Sequence, residues 1–315
     1  MERRNMEVFP GHTSAALERP VLALGNFDGV HLGHQHLFRV AVEGAARVGG
    51  QAAVMTFEPH PAQVLAPERA PPLLTTLARK LELISGQGIA AVVVEPFDAA
   101  FASVSADAFV ADVLVGRLGV RGVVVGYDFT YGQKRLGTTE TLARAGAAHG
   151  FDVQVIPAVT VDDLIVSSTT VRGLLAQGDA ARAAKLLGRP HDVDGDVVAG
   201  AGRGREIGFP TANVAVAGGL LPRPGIYAGA LTLLDERRTL PAALSLGENA
   251  TFTPGAPLSL EAHVLDFDGD LYGRRTRVHF HGWIRAEERF DSVAALVAQI
   301  RQDLAAARRI LGGHA

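Results

Sequence analysis

The chain has 315 residues, 48% of them hydrophobic and 20% charged, with a formal net charge of -3 at pH 7; this is enough for two ordinary globular domains with a core each. That balance gives no electrostatic reason to expect a nucleic acid or an anionic membrane as partner, and no apolar run reaches the ~18 residues of a transmembrane helix. There is no cysteine, so disulfides, thiolate chemistry and cysteine-based zinc sites are excluded, and a reducing cytoplasm is the expected compartment.

The N-terminal stretch MERRNMEVFPGHTSAALERP carries basic residues without an apolar segment behind them, so no secretory signal is expected. Val21 to Leu24 then reads as a buried strand, followed by a glycine-punctuated turn and a helix whose first turn carries His31, Gly33 and His34. Residues three apart share a helix face, which lets both imidazoles address one ligand, and Gly33 permits its close approach. Free N–H groups at a helix start favour a phosphate. Gly25, Asn26, Phe27 and Asp28 form a polar turn at a strand's C-terminal end, where open α/β sheets bind ligands. The only lysines are Lys80, Lys134 and Lys185, none after a glycine, so the P-loop pattern is absent.

Leu37, Phe38, Ala41, Val42 and Ala45 continue the helix to a stop at Gly49–Gly50. Ala52 to Phe57 reads as a strand that ends in the rigid turn Glu58-Pro59-His60-Pro61, and a proline-rich loop occupies 67–72. A helix over 77–85, a strand over 90–94, a helix capped by Ser105, a strand over 122–125, a helix over 141–149 and a strand over 153–156 follow. This alternation predicts an α/β doubly wound parallel sheet with its ligand edge at the strand C-termini. Two more segments leave that edge. One runs from Gly126 to Gly132 and contains Asp128; the other is Ser167-Ser168-Thr169 with Arg172 one turn on, offering hydroxyl, backbone and guanidinium donors to an anion.

A helix over 179–187 closes the first half, and Arg189-Pro190 marks a boundary, giving domains 1–188 and 189–315. Beyond it, strands over 193–198, 228–234, 241–246, 258–265 and 277–280 have no helix between them, which predicts a small antiparallel β-barrel followed by a C-terminal helix over 292–311. Within GAGRGREIGFPTAN, Gly202, Gly204 and Gly208 with two arginines make a donor-rich loop suited to phosphates. Pro210 fixes the approach to Thr211 and Asn213, whose oxygens are of the kind Mg²⁺ accepts. Glu261 lies in an apolar strand, where a carboxylate is either the outward member of an alternating pattern or a functional group.

Several of these stretches resemble one family. GNFDGVHLGHQ is similar to the adenylyltransferase signature of the bacterial bifunctional riboflavin kinase/FAD synthetases. TFEPHP, the segment VVGYDFTYG (family VVGxDFxFG, with Tyr131 for the commoner phenylalanine) and SSTTVR (family SSTxxR) follow in the family's order. GREIGFPTAN resembles the kinase signature, with further matches at PGIYAG and EAHVLDF. The resemblance implies phosphorylation of riboflavin to FMN by ATP, then adenylylation of FMN to FAD with release of pyrophosphate, both with Mg²⁺. It implies that Glu261 is the kinase base and that Thr211 and Asn213 are metal ligands. It also implies that His31, His34 and Arg172 stabilise transferring phosphates, with Ser167, Ser168, Thr169 and Asp128 in the nucleotide site. Two departures bear on kinase efficiency. Asn249-Ala250-Thr251-Phe252 stands where the family has N-P-T-F, and Gly200-Ala201-Gly202 lacks the usual histidine and acidic residue. The rivals are another nucleotidyltransferase with a regulatory barrel, and a non-enzymatic flavin carrier.

Overall fold

The computed structural model describes residues 6–200, 202–248 and 258–312. The Asn249–Phe252 stretch and Ala201 therefore lie outside the described residues. Contacts divide the chain into two compact units, Met1–Val166 and Ser167–Ala315.

The N-terminal unit is built on a parallel sheet of β1 (Glu7–Phe9), β2 (Val21–Leu24), β3 (Ala52–Glu58), β4 (Ala91–Pro96), β5 (Gly122–Gly126) and β6 (Asp152–Ile156), in the order β1-β4-β3-β2-β5-β6. Its helices are α1 (Leu32–Val48), α2 (Pro61–Leu65), α3 (Leu77–Ser85), α4 (Ala99–Ala102), α5 (Ala106–Ala108, running into the π-helical stretch Phe109–Arg117) and α6 (Thr139–His149). A two-stranded ribbon of β7 (Thr160–Val161) and β8 (Leu164–Ile165) follows. All four residues of β2 are buried, as a strand covered on both faces requires. Leu22 and Leu24 pack with Phe109, Leu114 and Leu142. Val21 and Ala23, on the opposite face, pack with Phe38, Ala41 and Ile84.

From β2 the sheet grows through β3 and β4 on one side, and the chain then returns to lay β5 against the other edge of β2. Connections leaving β2 and β5 thus diverge at their C-terminal ends, which makes this the topological switch point and opens a crevice there. The doubly wound sheet expected from the sequence is present. The edge strand β1 and the short helices α2 and α4 were not anticipated, because three to five residues carry too little periodicity to register.

In the C-terminal unit, α7 (Ser168–Gln177) and α8 (Ala180–Leu187) precede β9 (His191–Val198), the short α9 (Arg203–Glu206), β10 (Ala212–Val216), β11 (Gly225–Leu233), β12 (Arg238–Glu248), β13 (Leu258–Val264), β14 (Arg275–Arg285) and α10 (Val293–Gly312). The six strands close into a barrel in the order β10-β13-β12-β11-β14-β9, with antiparallel pairing throughout. Closure removes the edges that an open sheet of this size would leave. Phe280, Leu231, Val278 and Tyr227 fill the interior, and Ala180 of α8 joins them. Leu304 and Ala307 of α10 cover Ala228, Ala243 and Leu265 on the outside, as the apolar stripe of that helix predicts.

The single tryptophan, Trp283, meets Tyr227 edge-on at 5.1 Å, so its fluorescence reports on the barrel. Phe280→Ala removes a fully buried ring and is expected to lower the stability of this unit by about 3–5 kcal/mol. Urea titration followed at Trp283 checks this, and a change of under about 1 kcal/mol would contradict the packing described.

Candidate functional site

Two sets of polar residues stand out, one in each unit. In the first, β2 ends at Leu24, and the backbone turns through Phe27 (φ 51°), Gly29 (φ 81°) and Val30 (φ 43°) before entering α1. His31 is not inside the helix, as the sequence suggested, but is its N-cap: its Nδ1 accepts the backbone N–H of His34. This cap satisfies one of the orphan donors of the first turn. It also brings the two imidazoles into a stack, with centroids 3.5 Å apart and planes 19° from parallel. Gly33 sits under that stack, where a Cβ would lie 3.1 Å from the His31 ring.

Phe27 is buried and lies between His34 and Phe38, at 5.2 Å and 4.8 Å, so it forms the floor of the turn. Asp28 points at the chain itself. Its carboxylate accepts the N–H groups of Leu74 (3.0 Å) and Thr75 (3.1 Å), and Gly29 N–H donates to the Thr75 hydroxyl. Asn26 contributes its carbonyl, which accepts from the Thr56 hydroxyl (3.0 Å) and from Lys80 Nζ (3.2 Å); Lys80 also donates to Thr56 Oγ1 at 3.1 Å. Lys80 and Thr56 are functional candidates that motif reading overlooks. The signal was present, because Lys80 falls on the apolar face of α3 between Leu77 and Ile84.

Burial and neighbouring positive groups set the electrostatics of this turn. His34 Nδ1 is buried and has no hydrogen-bond partner among the described residues. Burial, the neighbouring His31 ring and the Lys80 ammonium hold the His34 pKa well below its ordinary 6.5. Beyond β5, Asp128 stands exposed in the turn after Gly126. Tyr131 is pulled into the core, its hydroxyl 3.2 Å from that of Thr141, which explains why either phenylalanine or tyrosine suits that position.

The helix α7 belongs to the other unit. Ser167 caps it, with Oγ accepting the Thr170 N–H at 3.1 Å. Ser168 and Thr169 occupy its first turn and Arg172 is half-buried one turn along. This helix start offers backbone donors and a guanidinium on consecutive turns.

The second set lies on the barrel wall. Leu260, Ala262 and Val264 of β13 point inward, which leaves Glu261 and His263 on the outer face. Pairing places Asn213 of β10 directly opposite Glu261, with Ser245 of β12 on its other side. The Thr211 hydroxyl donates to Glu261 Oε2 at 2.9 Å. His263 Nδ1 lies 2.8 Å from the Pro210 carbonyl, which ties the Pro210–Asn213 segment to the strand bearing the carboxylate. A side chain at Gly200 would overlap the Asn213 amide, and Gly202 and Gly208 adopt φ of 72° and 86°, so the loop between them depends on glycine. Thr211, Asn213 and Glu261 present hydroxyl, amide and carboxylate oxygens, a hard donor set that suits Mg²⁺ and is unlike that of zinc. Among the described residues no cluster of three histidines, cysteines or acids could hold a metal by itself; Mg²⁺ ordinarily completes its sphere with water and substrate phosphates.

Comparison with known proteins assigns the two halves separately. A family model described as FAD synthetase matches residues 13–170, and one described as riboflavin kinase matches 187–311. The bifunctional riboflavin kinase/FMN adenylyltransferase of Pseudomonas fluorescens is 40% identical over 290 residues, covering 92% of each chain. That of Escherichia coli K12 is 39% identical over 300 residues, covering 95% of each. A solved structure described as a macrolide-efflux protein from Streptococcus pneumoniae superposes with a TM-score of 0.86 at 30% identity, covering 96% of this chain and 98% of that one. No helix among the described residues is long and apolar enough to cross a membrane.

The unfolded chain binds a proton on His34 at the ordinary pKa, whereas the folded chain resists it. Stability contributed at neutral pH is therefore lost as the pH falls below about 6.5. Between about pH 7.5 and 5.5 the thermal midpoint is expected to drop more steeply in the native protein than in His34→Gln, as calorimetry would show; parallel curves would mean that His34 protonates freely.

Proposed function

The chain belongs to the bifunctional riboflavin kinase/FMN adenylyltransferase family, and from that premise we propose how its residues divide the work of making FMN from riboflavin and FAD from FMN, with ATP as co-substrate in both steps. The boundary between the activities falls at 188/189, and the compartment is the cytoplasm.

The kinase assignment rests on one observation: the Thr211–Glu261 hydrogen bond on the outer barrel face, with Asn213 opposite the carboxylate. Thr211 occupies one carboxylate oxygen and orients the other. Glu261 takes the proton of the ribityl 5′-hydroxyl as that oxygen bonds to the γ-phosphorus of ATP and the bond to ADP breaks. Phosphoryl transfer asks little more of a protein than positioning, charge neutralisation and a well-placed acceptor. Thr211 and Asn213 would hold Mg²⁺, which when bound neutralises phosphate charge. Gly202, Gly204, Gly208 and Pro210 shape the loop that receives the phosphates.

In the adenylyl step a phosphate oxygen of FMN attacks the α-phosphorus of ATP directly and pyrophosphate leaves, with no covalent enzyme intermediate. His31, His34 and Arg172 stabilise the charge that accumulates on the phosphates. Gly25, Asn26, Phe27 and Gly33 shape the turn that receives the nucleotide. Asp28 acts on the same nucleotide site by holding that turn, and Asp128, Ser167, Ser168 and Thr169 complete its nucleotide contacts.

His31→Ala and His34→Ala are each expected to cut FAD formation by about 10²–10³-fold while riboflavin phosphorylation persists, and His31→Asn, which keeps a cap acceptor, separates loss of chemistry from loss of the helix start. Glu261→Ala should lower FMN formation by about 10²–10⁴-fold yet still convert supplied FMN to FAD. Chromatography of FMN and FAD after incubation with riboflavin and MgATP reads both, and equal loss of both activities in either set of variants would refute two independent sites. Chelation of Mg²⁺ by EDTA is expected to stop both steps, with recovery on adding Mg²⁺ back; turnover persisting in EDTA would remove the metal from the scheme.

A further inference from the structure

Lys80 is 6% exposed, yet it makes no ion pair among the described residues. Its two hydrogen bonds go to neutral oxygens, the Asn26 carbonyl and the Thr56 hydroxyl. Burying an ammonium without a carboxylate against it is costly, and the packing of α3 does not demand it. Leu81 and Ile84 already fill the surroundings, and a methionine of equal length would cover the same surface. Holding the turn does not demand it either, because the Thr56 hydroxyl bonds the Asn26 carbonyl on its own account. What the ammonium adds beyond these is positive charge, bonded to the turn that leads into the His31–His34 stack and felt by His34.

We propose that Lys80 is a positioning residue of the adenylyl-transfer site: bonded to the Asn26 carbonyl and the Thr56 hydroxyl, it supplies beside the Gly25–Phe27 turn a fixed positive charge that favours a bound nucleotide triphosphate. This rests on the assignment of that turn to the ATP phosphates. The charged groups around the ammonium are Glu58 at the end of β3, Asp28 in the turn, and His34 on α1. Asp28 is already engaged by the Leu74 and Thr75 N–H groups. Burial lowers the Lys80 pKa from its ordinary 10.5, against the pull of Glu58 and Asp28, and the same charge helps to keep His34 unprotonated. A neutral His34 retains a ring nitrogen that accepts and one that donates. Protonated, it would donate from both and lose that distinction.

The chain has only three lysines, which makes their side-chain NMR signals separable. In the native protein, the Lys80 ammonium is expected to titrate below 10.5 and to move up when a non-hydrolysable ATP analogue with Mg²⁺ is added, because a bound anion favours the charged form. An unmoved Lys80 signal under saturating analogue overturns the proposal without any variant having to fold. Lys80→Met should reduce FAD formation by about tenfold or more with riboflavin phosphorylation intact, and should shift the acid limb of the adenylylation pH profile and the His34 titration to higher pH. Reduced activity with an unchanged pH profile and an unchanged His34 titration would make Lys80 merely structural and refute the charge role. Undiminished FAD formation would refute the proposal altogether. Should His31→Ala and His34→Ala prove harmless, the site assignment itself fails, a result distinct from any of these.

Discussion

The position of β2 between β3 and β5 is the constraint from which the front half of this protein follows. Because the strand is hydrogen-bonded on both sides and covered on both faces, its register cannot slip without turning Leu22 and Leu24 out of one core and Val21 and Ala23 out of the other. The turn that follows is therefore delivered to one place. Its unusual backbone, with two non-glycine residues at positive φ, is held by ties that cross a large sequence separation: Asp28 to Leu74 and Thr75, and Asn26 to Thr56 and Lys80. Strain at such a turn persists only when the surroundings over-determine it, and here the side chains of Asp28, Thr56 and Lys80 do so.

The barrel solves a different problem with the same rule. Side chains alternate along β13, so a slip of one residue would send Glu261 into the apolar interior and Ala262 out. Pairing with β10 and β12 forbids this and fixes Asn213 and Ser245 as its neighbours. The carboxylate is thus held on the outer face. The outer face is where the proposed base can meet a substrate, and the inner one is where a charge would be prohibitively desolvated.

Much of this was legible in the sequence, and the parts that were not failed for physical reasons. Strand-turn-helix at Val21–Val48, the Ser105 cap and the stop at Gly49 all follow from local chemistry, and each appears as expected, whereas α7 is capped by Ser167, one residue before the Ser168 and Thr169 hydroxyls. β10 was missed because Ala212–Val216 begins inside the Pro-Thr-Ala-Asn motif, where small and polar residues mask the alternation. The long barrel strands were underestimated at their ends, where exposed Arg238 and Arg275 continue the ladder without an apolar signature. In the candidate sites the motif residues were legible, but their support was not. Nothing local links Lys80 to Asn26 or His263 to Pro210, across 54 and 53 residues of chain; tertiary closure alone brings them together. His31 caps α1 where helical spacing placed it in the first turn, since imidazole is a rare cap and the i, i+3 spacing suits either position.

The contrast between the two sites follows from their nucleophiles. A ribityl hydroxyl carries a proton that must leave as the oxygen attacks, so a kinase site needs a base, the part proposed for the half-buried carboxylate that the Thr211 hydroxyl orients. The phosphate of FMN is already ionised near neutrality and has no proton in its way. Its difficulty is repulsion, because an anion must approach a triphosphate. A free carboxylate there would add to the repulsion. Accordingly Asp28, the acid buried in the turn, is turned inward onto two backbone N–H groups, and the groups proposed to meet the phosphates are the imidazoles at the start of α1, with the Lys80 ammonium bonded to the same turn. In the proposed division one chain therefore carries sites of opposite electrostatic character, and the chemistry of the attacking oxygen dictates which is which.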